Sequence, residues 1–164
     1  MLLGKQCIRF ILFYCLTVSA FAMSKQVEDS GKVVDVKTDR VEVKLFLRDL
    51  AKGECNYINK WMWGTENTCP RNVAEKLSVK YLGESAYIPV SSYSDLSNVK
   101  EVVIDKGRED SFYTIKISGG DAAFSYYSVL SFKGITMLSR AVHHGEFPED
   151  SWEKTQYKFN DLNN

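Results

Sequence analysis

The chain has little to hold it in a membrane or against nucleic acid. Its N-terminal apolar run, Phe10 to Ala22, is thirteen residues long, short of the ~20 that a helix needs to cross the hydrocarbon core. Lysine and arginine together number 21, as do aspartate and glutamate, so there is no basic surplus to track a phosphate backbone. No Pro-, Ser- or Gly-rich linker divides the sequence, and no repeat of about 20 to 50 residues marks it as a solenoid. Also missing are the G-x-S-x-G, G-x-G-x-x-G, Walker A, H-E-x-x-H and EF-hand patterns. With them go the commonest sequence signatures of hydrolase, nucleotide, zinc and calcium chemistry, and no cofactor is implied.

What is present begins with an export signature. Lys5 and Arg9 make a positive n-region, FILFYCLTV a short apolar core, and Ala20-Phe21-Ala22 places small residues where a signal peptidase inspects them. The expectation is a cleaved signal over residues 1–22 and a periplasmic or secreted protein with no stable membrane anchor after cleavage. A retained anchor is disfavoured by the short run, and lipidation of Cys15 by the bulky Tyr14 before it. Of the four cysteines, Cys7 and Cys15 leave with the signal. The surviving pair in an oxidising compartment predicts a disulfide. Cys55 and Cys69 would close the fifteen-residue loop CNYINKWMWGTENTC, which chain entropy values at about 3 kcal/mol.

From Lys32 onward the dominant hydrophobic period is two, the mark of half-buried strands. Val41, Val43, Leu45 and Leu47 alternate with Glu42, Lys44, Phe46 and Arg48. Further strands are expected at 77–82, 86–90, 100–105, 112–118, 123–132, 135–142 and 153–159, with Gly107, Gly119-Gly120 and Gly134 in the turns between them. Pro89 marks an edge, because proline donates nothing to a ladder. The pattern predicts a mainly β, single antiparallel domain of about eight strands over 32–164, as a curved sheet, sandwich or open barrel. Met23 to Gly31 is expected to be a flexible lead-in. Around the disulfide, 49–63 and Pro70 to Lys76 are read as a short, partly helical excursion.

Two segments carry the candidate chemistry. Tyr57, Trp61, Met62 and Trp63 crowd the disulfide loop, and Trp and Tyr dominate protein-binding hot spots; the same aromatics suit stacking on sugar rings. His143-His144-Gly145-Glu146 is the one histidine cluster. A metal site there would use His143 and His144 and would need a further ligand, Glu146 or Asp121. Adjacent strand residues face opposite ways, however, which disfavours chelation by both imidazoles. The acidic run Glu146, Glu149, Asp150 and Glu153 reads as a solvated loop or a docking surface for a basic partner. These features favour an exported, non-enzymatic module that binds a protein partner, of the inhibitor or immunity kind. The alternatives are a small secreted hydrolase or metal-dependent enzyme using the histidine region, and a carbohydrate-binding module using Tyr57, Trp61 and Trp63.

Overall fold

The computed structural model describes residues 23–26, 32–51, 53–55, 62–65 and 68–159. Among them the period-two pattern becomes ten strands. These are β1 (Met23–Gln26), β2 (Val33–Lys37), β3 (Val41–Asp49), β4 (Asn72–Tyr81), β5 (Glu84–Ser85), β6 (Val99–Lys106), β7 (Phe112–Gly119), β8 (Tyr126–Lys133), β9 (Thr136–His144) and β10 (Ser151–Gln156). They form a six-stranded sheet in the order β1-β6-β7-β8-β9-β10 and a four-stranded sheet in the order β2-β3-β4-β5. Every pairing is antiparallel and neither sheet closes into a barrel.

Alternation decides which face is buried. Val34, Val36, Val43, Leu45 and Val79 of the smaller sheet meet Val102, Ile104, Ile115, Ile117, Leu130 and Val142 of the larger one in a single apolar cluster. The architecture is therefore a sandwich with one core. Each of these side chains contributes about 1.5–3 kcal/mol of transfer free energy. The six-stranded sheet is the wider of the two, and the connection between β5 and β6 lies over its inward face near β9. Tyr93 and Leu96 of that connection are buried in the core cluster.

Several boundaries differ from expectation for identifiable reasons. Pro70 to Lys76 is not helical: Asn72–Tyr81 is strand β4. A bulge places Phe46 opposite Lys76 but Leu47 opposite Ala74, so Glu75 is an extra residue and the alternation that signals a strand breaks there. The strand expected at 86–90 is displaced to Glu84–Ser85, and Val90–Ser92 is a 3-10 turn. Ala122–Phe124 is also a 3-10 turn, and β8 starts only at Tyr126. Met23–Gln26, expected to be part of a flexible lead-in, pairs with Glu101–Ile104 of β6. The final strand spans Ser151–Gln156 rather than 153–159. Among the described residues no helix is long and apolar enough to cross a membrane.

Candidate functional site

The Cys55–Cys69 disulfide is present, with the two Cα atoms 5.3 Å apart. The first stem of its loop is fixed by Arg48, whose guanidinium grips the Glu54 carboxylate at 2.8 and 3.2 Å while the Ala51 N–H donates to the same group at 2.7 Å. The hydrogen bond from Arg48, seconded by that N–H, holds the Glu54 carboxyl below the usual carboxylate range. Tyr57 and Trp61 lie outside the described residues. Met62 and Trp63 lie within them, on the stretch that docks the loop against the sandwich.

That docking runs through the backbone of Trp63 and Gly64, bonded by both backbone and side-chain groups of the connection before β6. Trp63 N–H donates to Asp95 O at 2.8 Å, and Trp63 O accepts from Ser97 N–H and Ser97 Oγ at 3.1 and 2.6 Å. Asn98 Nδ2 donates to Gly64 O at 2.8 Å. Gly64 has φ +90°, and a Cβ there would stand 2.7 Å from both Ser97 O and the Tyr126 ring. Gly120, with φ +72°, would likewise bring a Cβ to 2.8 Å from Gly64 Cα. Only glycine permits both the conformation and the approach. The Gly119-Gly120 pair thus serves the loop as well as the turn after β7.

Seated in this way, Trp63 meets residues from the far end of the chain. Its ring stacks on Trp152 with centroids 5.3 Å apart and planes 15° apart. His144 touches Trp152 edge-on at 5.0 Å and Phe147 at 4.9 Å. Trp152 comes to this face because β10 is irregular between Ser151 and Glu153. Trp63 is half-buried against the core, whereas Trp152 is 40% and Phe147 52% exposed. The result is a continuous aromatic surface, anchored inside and open outside.

The two histidines do not converge. His143 stacks on Tyr127 at 4.9 Å, on the face where Lys116 Nζ lies 4.3 Å from the Tyr127 ring centre. His144 turns the other way, into the tryptophan cluster. Their hydrogen bonds require opposite tautomers. His143 Nδ1 lies 3.1 Å from Pro148 O, a carbonyl that only accepts, so that nitrogen carries the proton. His144 Nδ1 accepts from the N–H groups of Glu146 and Phe147 at 3.0 and 3.2 Å, so in the neutral ring its proton is on Nε2. Tyr127 Oη adds a bond to Pro148 O at 3.3 Å. Together the rings clasp both sides of the turn between β9 and β10. Glu146 projects from that exposed turn, and Asp121 is paired with Lys100. The proposed His143, His144, Glu146 and Asp121 ligand set is therefore not assembled.

Sequence reading missed Arg140. Its side chain is 2% exposed and points into the sandwich. Nη1 donates to Ser91 O at 2.6 Å, Nη2 to Asp95 Oδ2 at 2.7 Å, and Glu153 Oε2 lies 3.6 Å from Nη2. Nearby Tyr126 is buried and donates to Ser97 O at 3.0 Å; burial first, then the negative charge of Asp95, raises its hydroxyl well above the ordinary range. The available signal was one charged residue in an inward register of a strand.

The opposite end of the sandwich is closed by exposed charges. Arg40 Nη1 lies 3.4 Å from Asp110 Oδ1, and Lys106 Nζ 2.8 Å from Asp39 Oδ1. These pairs rim a cleft of about 120 Å³ beside Tyr81 and Tyr113, whose rings continue a parallel stack to Phe132. The hydrogen bond from Lys106 lowers the Asp39 carboxyl, and the charge of Asp110 raises Arg40.

Neither a known protein family, nor a curated protein, nor a solved structure matches this chain.

Proposed function

We propose that this protein is an exported, non-enzymatic binding module, of the inhibitor or immunity kind, that holds a protein partner at the aromatic end of its sandwich. The observation that carries the reading is the surface formed by Trp63, His144, Phe147 and Trp152, with Phe147 half and Trp152 two-fifths exposed to solvent. Aromatic rings held rigidly at the centre of a patch lose little entropy on contact and supply most of the energy at hot spots. The disulfide loop borders this patch through Met62 and Trp63. Export rests on the N-terminal signature and is supported by the Cys55–Cys69 bond. A catalytic reading is the weaker one, because His143 and His144 serve opposite sides of one turn.

A photo-reactive phenylalanine analogue in place of Phe147 tests this in intact cells. The expected result is cross-linking to one protein, which then binds the purified chain in solution. Trp152→Ala should weaken that binding at least tenfold, about 1.4 kcal/mol or more. A Kd unchanged by Trp152→Ala removes this face from the function. Binding of a purified oligosaccharide that depends on Trp63 and Trp152, with no protein cross-linked, replaces this reading with the carbohydrate-binding one.

A further inference from the structure

We propose that Arg140 is a positioning residue that sets Trp63 against Trp152; its bearing on binding rests on the reading of that face given above. The two tryptophans belong to segments that share no strand pairing. Trp63 hangs from the connection before β6, through its bonds to Asp95 and Ser97. Trp152 belongs to β10, at the irregular step before Glu153. Arg140 lies between them and holds each segment by a carboxylate. Asp95, the residue whose carbonyl receives Trp63 N–H, also gives its side chain to Nη2 at 2.7 Å. Glu153, the neighbour of Trp152, approaches the same nitrogen at 3.6 Å. Nη1 holds Ser91 O at 2.6 Å, which fixes the start of the connection that carries Asp95.

The chemistry suits this task better than it suits stability. A guanidinium presents several donors in a rigid plane, so it fixes Ser91 O and Asp95 Oδ2 in relative orientation, and keeps Glu153 within ion-pair reach, as a lysine ammonium does not. Charges taken out of water gain little net free energy over well-packed apolar residues, and their best-attested use is to specify a register. Here the register is the offset between two segments, and the indole stack at 5.3 Å is its visible consequence. Without the clamp, both carboxylates seek water, Asp95 and Glu153 separate, and the rings part.

Two stacked indoles couple their transitions, so circular dichroism reports the arrangement without any partner. In a Trp61→Phe background, which leaves Trp63 and Trp152 as the only indoles, the couplet should vanish with either Trp63→Phe or Trp152→Phe. Arg140→Lys keeps the charge but loses the fork, and should remove at least half of the couplet while cooperative melting persists. The neutral variant Asp95→Asn, Arg140→Met, Glu153→Gln leaves no unpaired buried charge and should do the same. Glu153→Gln alone, the mildest change, should weaken the couplet in a folded protein even if the other two variants do not fold. A full-strength couplet in any of these that folds overturns the proposal. Loss of the couplet with partner affinity intact keeps the clamp and rejects the binding face. A retained couplet, with binding abolished by Trp152→Ala, keeps the face and rejects the clamp.

Discussion

The sandwich is tied at both ends by ions, yet in opposite surroundings. At one end Arg40, Asp110, Lys106 and Asp39 join the β2–β3 turn to the β6–β7 turn in open solvent, with Asp110 93% exposed. Toward the other, Arg140 is 2% exposed and reaches three acceptors from two separate segments. Water screens the first set, so each pair there is replaceable by hydration. It screens the second less, because the guanidinium is buried while Asp95 and Glu153 are only 29% and 31% exposed, so loss of one member costs more there. The end that carries the exposed aromatics is thus the end whose geometry depends on a single buried charge.

The sharpest way to break this contrast is to delete each cation in turn. Arg140→Met should cost about 3 kcal/mol in a urea titration, the low end for a broken buried pair, because Asp95 and Glu153 lose their shared partner but remain 29% and 31% exposed; Arg40→Met should leave the midpoint nearly unchanged. Equal effects would mean that burial does not separate the two ends. Next in size, Cys69→Ser should lower stability by about 2–4 kcal/mol, and intact mass should show the wild-type chain two hydrogens lighter than its reduced form. Trp152→Ala should lower stability by about 2 kcal/mol, since the residue is 40% exposed and buries the rest against Trp63 and His144, while cooperative unfolding persists and partner binding weakens. The smallest expected effect concerns pH. The Asp39 carboxyl is lowered in the folded state by its bond to Lys106, so its contribution is present above the unfolded value and is lost as pH falls through the folded one. Melting temperatures of wild type and Lys106→Met should therefore converge at low pH, and also at high salt. A gap that persists in acid would place the effect of Lys106 elsewhere.

The larger part of the sandwich was legible because alternation is local. Val41, Val43, Leu45 and Leu47 state the inward face of β3 without reference to any other strand, and each is buried as that pattern requires. Where a partner strand imposes a bulge, local pattern fails. Glu75 in β4 has no alternating role, and the stretch around it therefore reads as a helix. The site was legible only in fragments. Trp63 and the His143-His144 pair stood out by residue type, but their distance in the chain concealed that Trp63 and His144 both meet Trp152. Arg140 and Asp95 gave no signal as a pair, because 45 residues separate them and only the closed sandwich brings them together. Tyr57 and Trp61, the other aromatics of the loop, fall outside the described residues.

The opposed tautomers of His143 and His144 make the β9–β10 turn its own measuring device. Nitrogen-15 shifts distinguish a protonated ring nitrogen from an accepting one, so the two adjacent imidazoles should give spectra that are mirror images in assignment. His144 lies in the aromatic cluster and His143 on the opposite face, beside Tyr127. A molecule settling on Trp152 and Phe147 should therefore move the signals of one histidine and leave its neighbour as an internal standard. A single residue step along the backbone separates the probe from its reference.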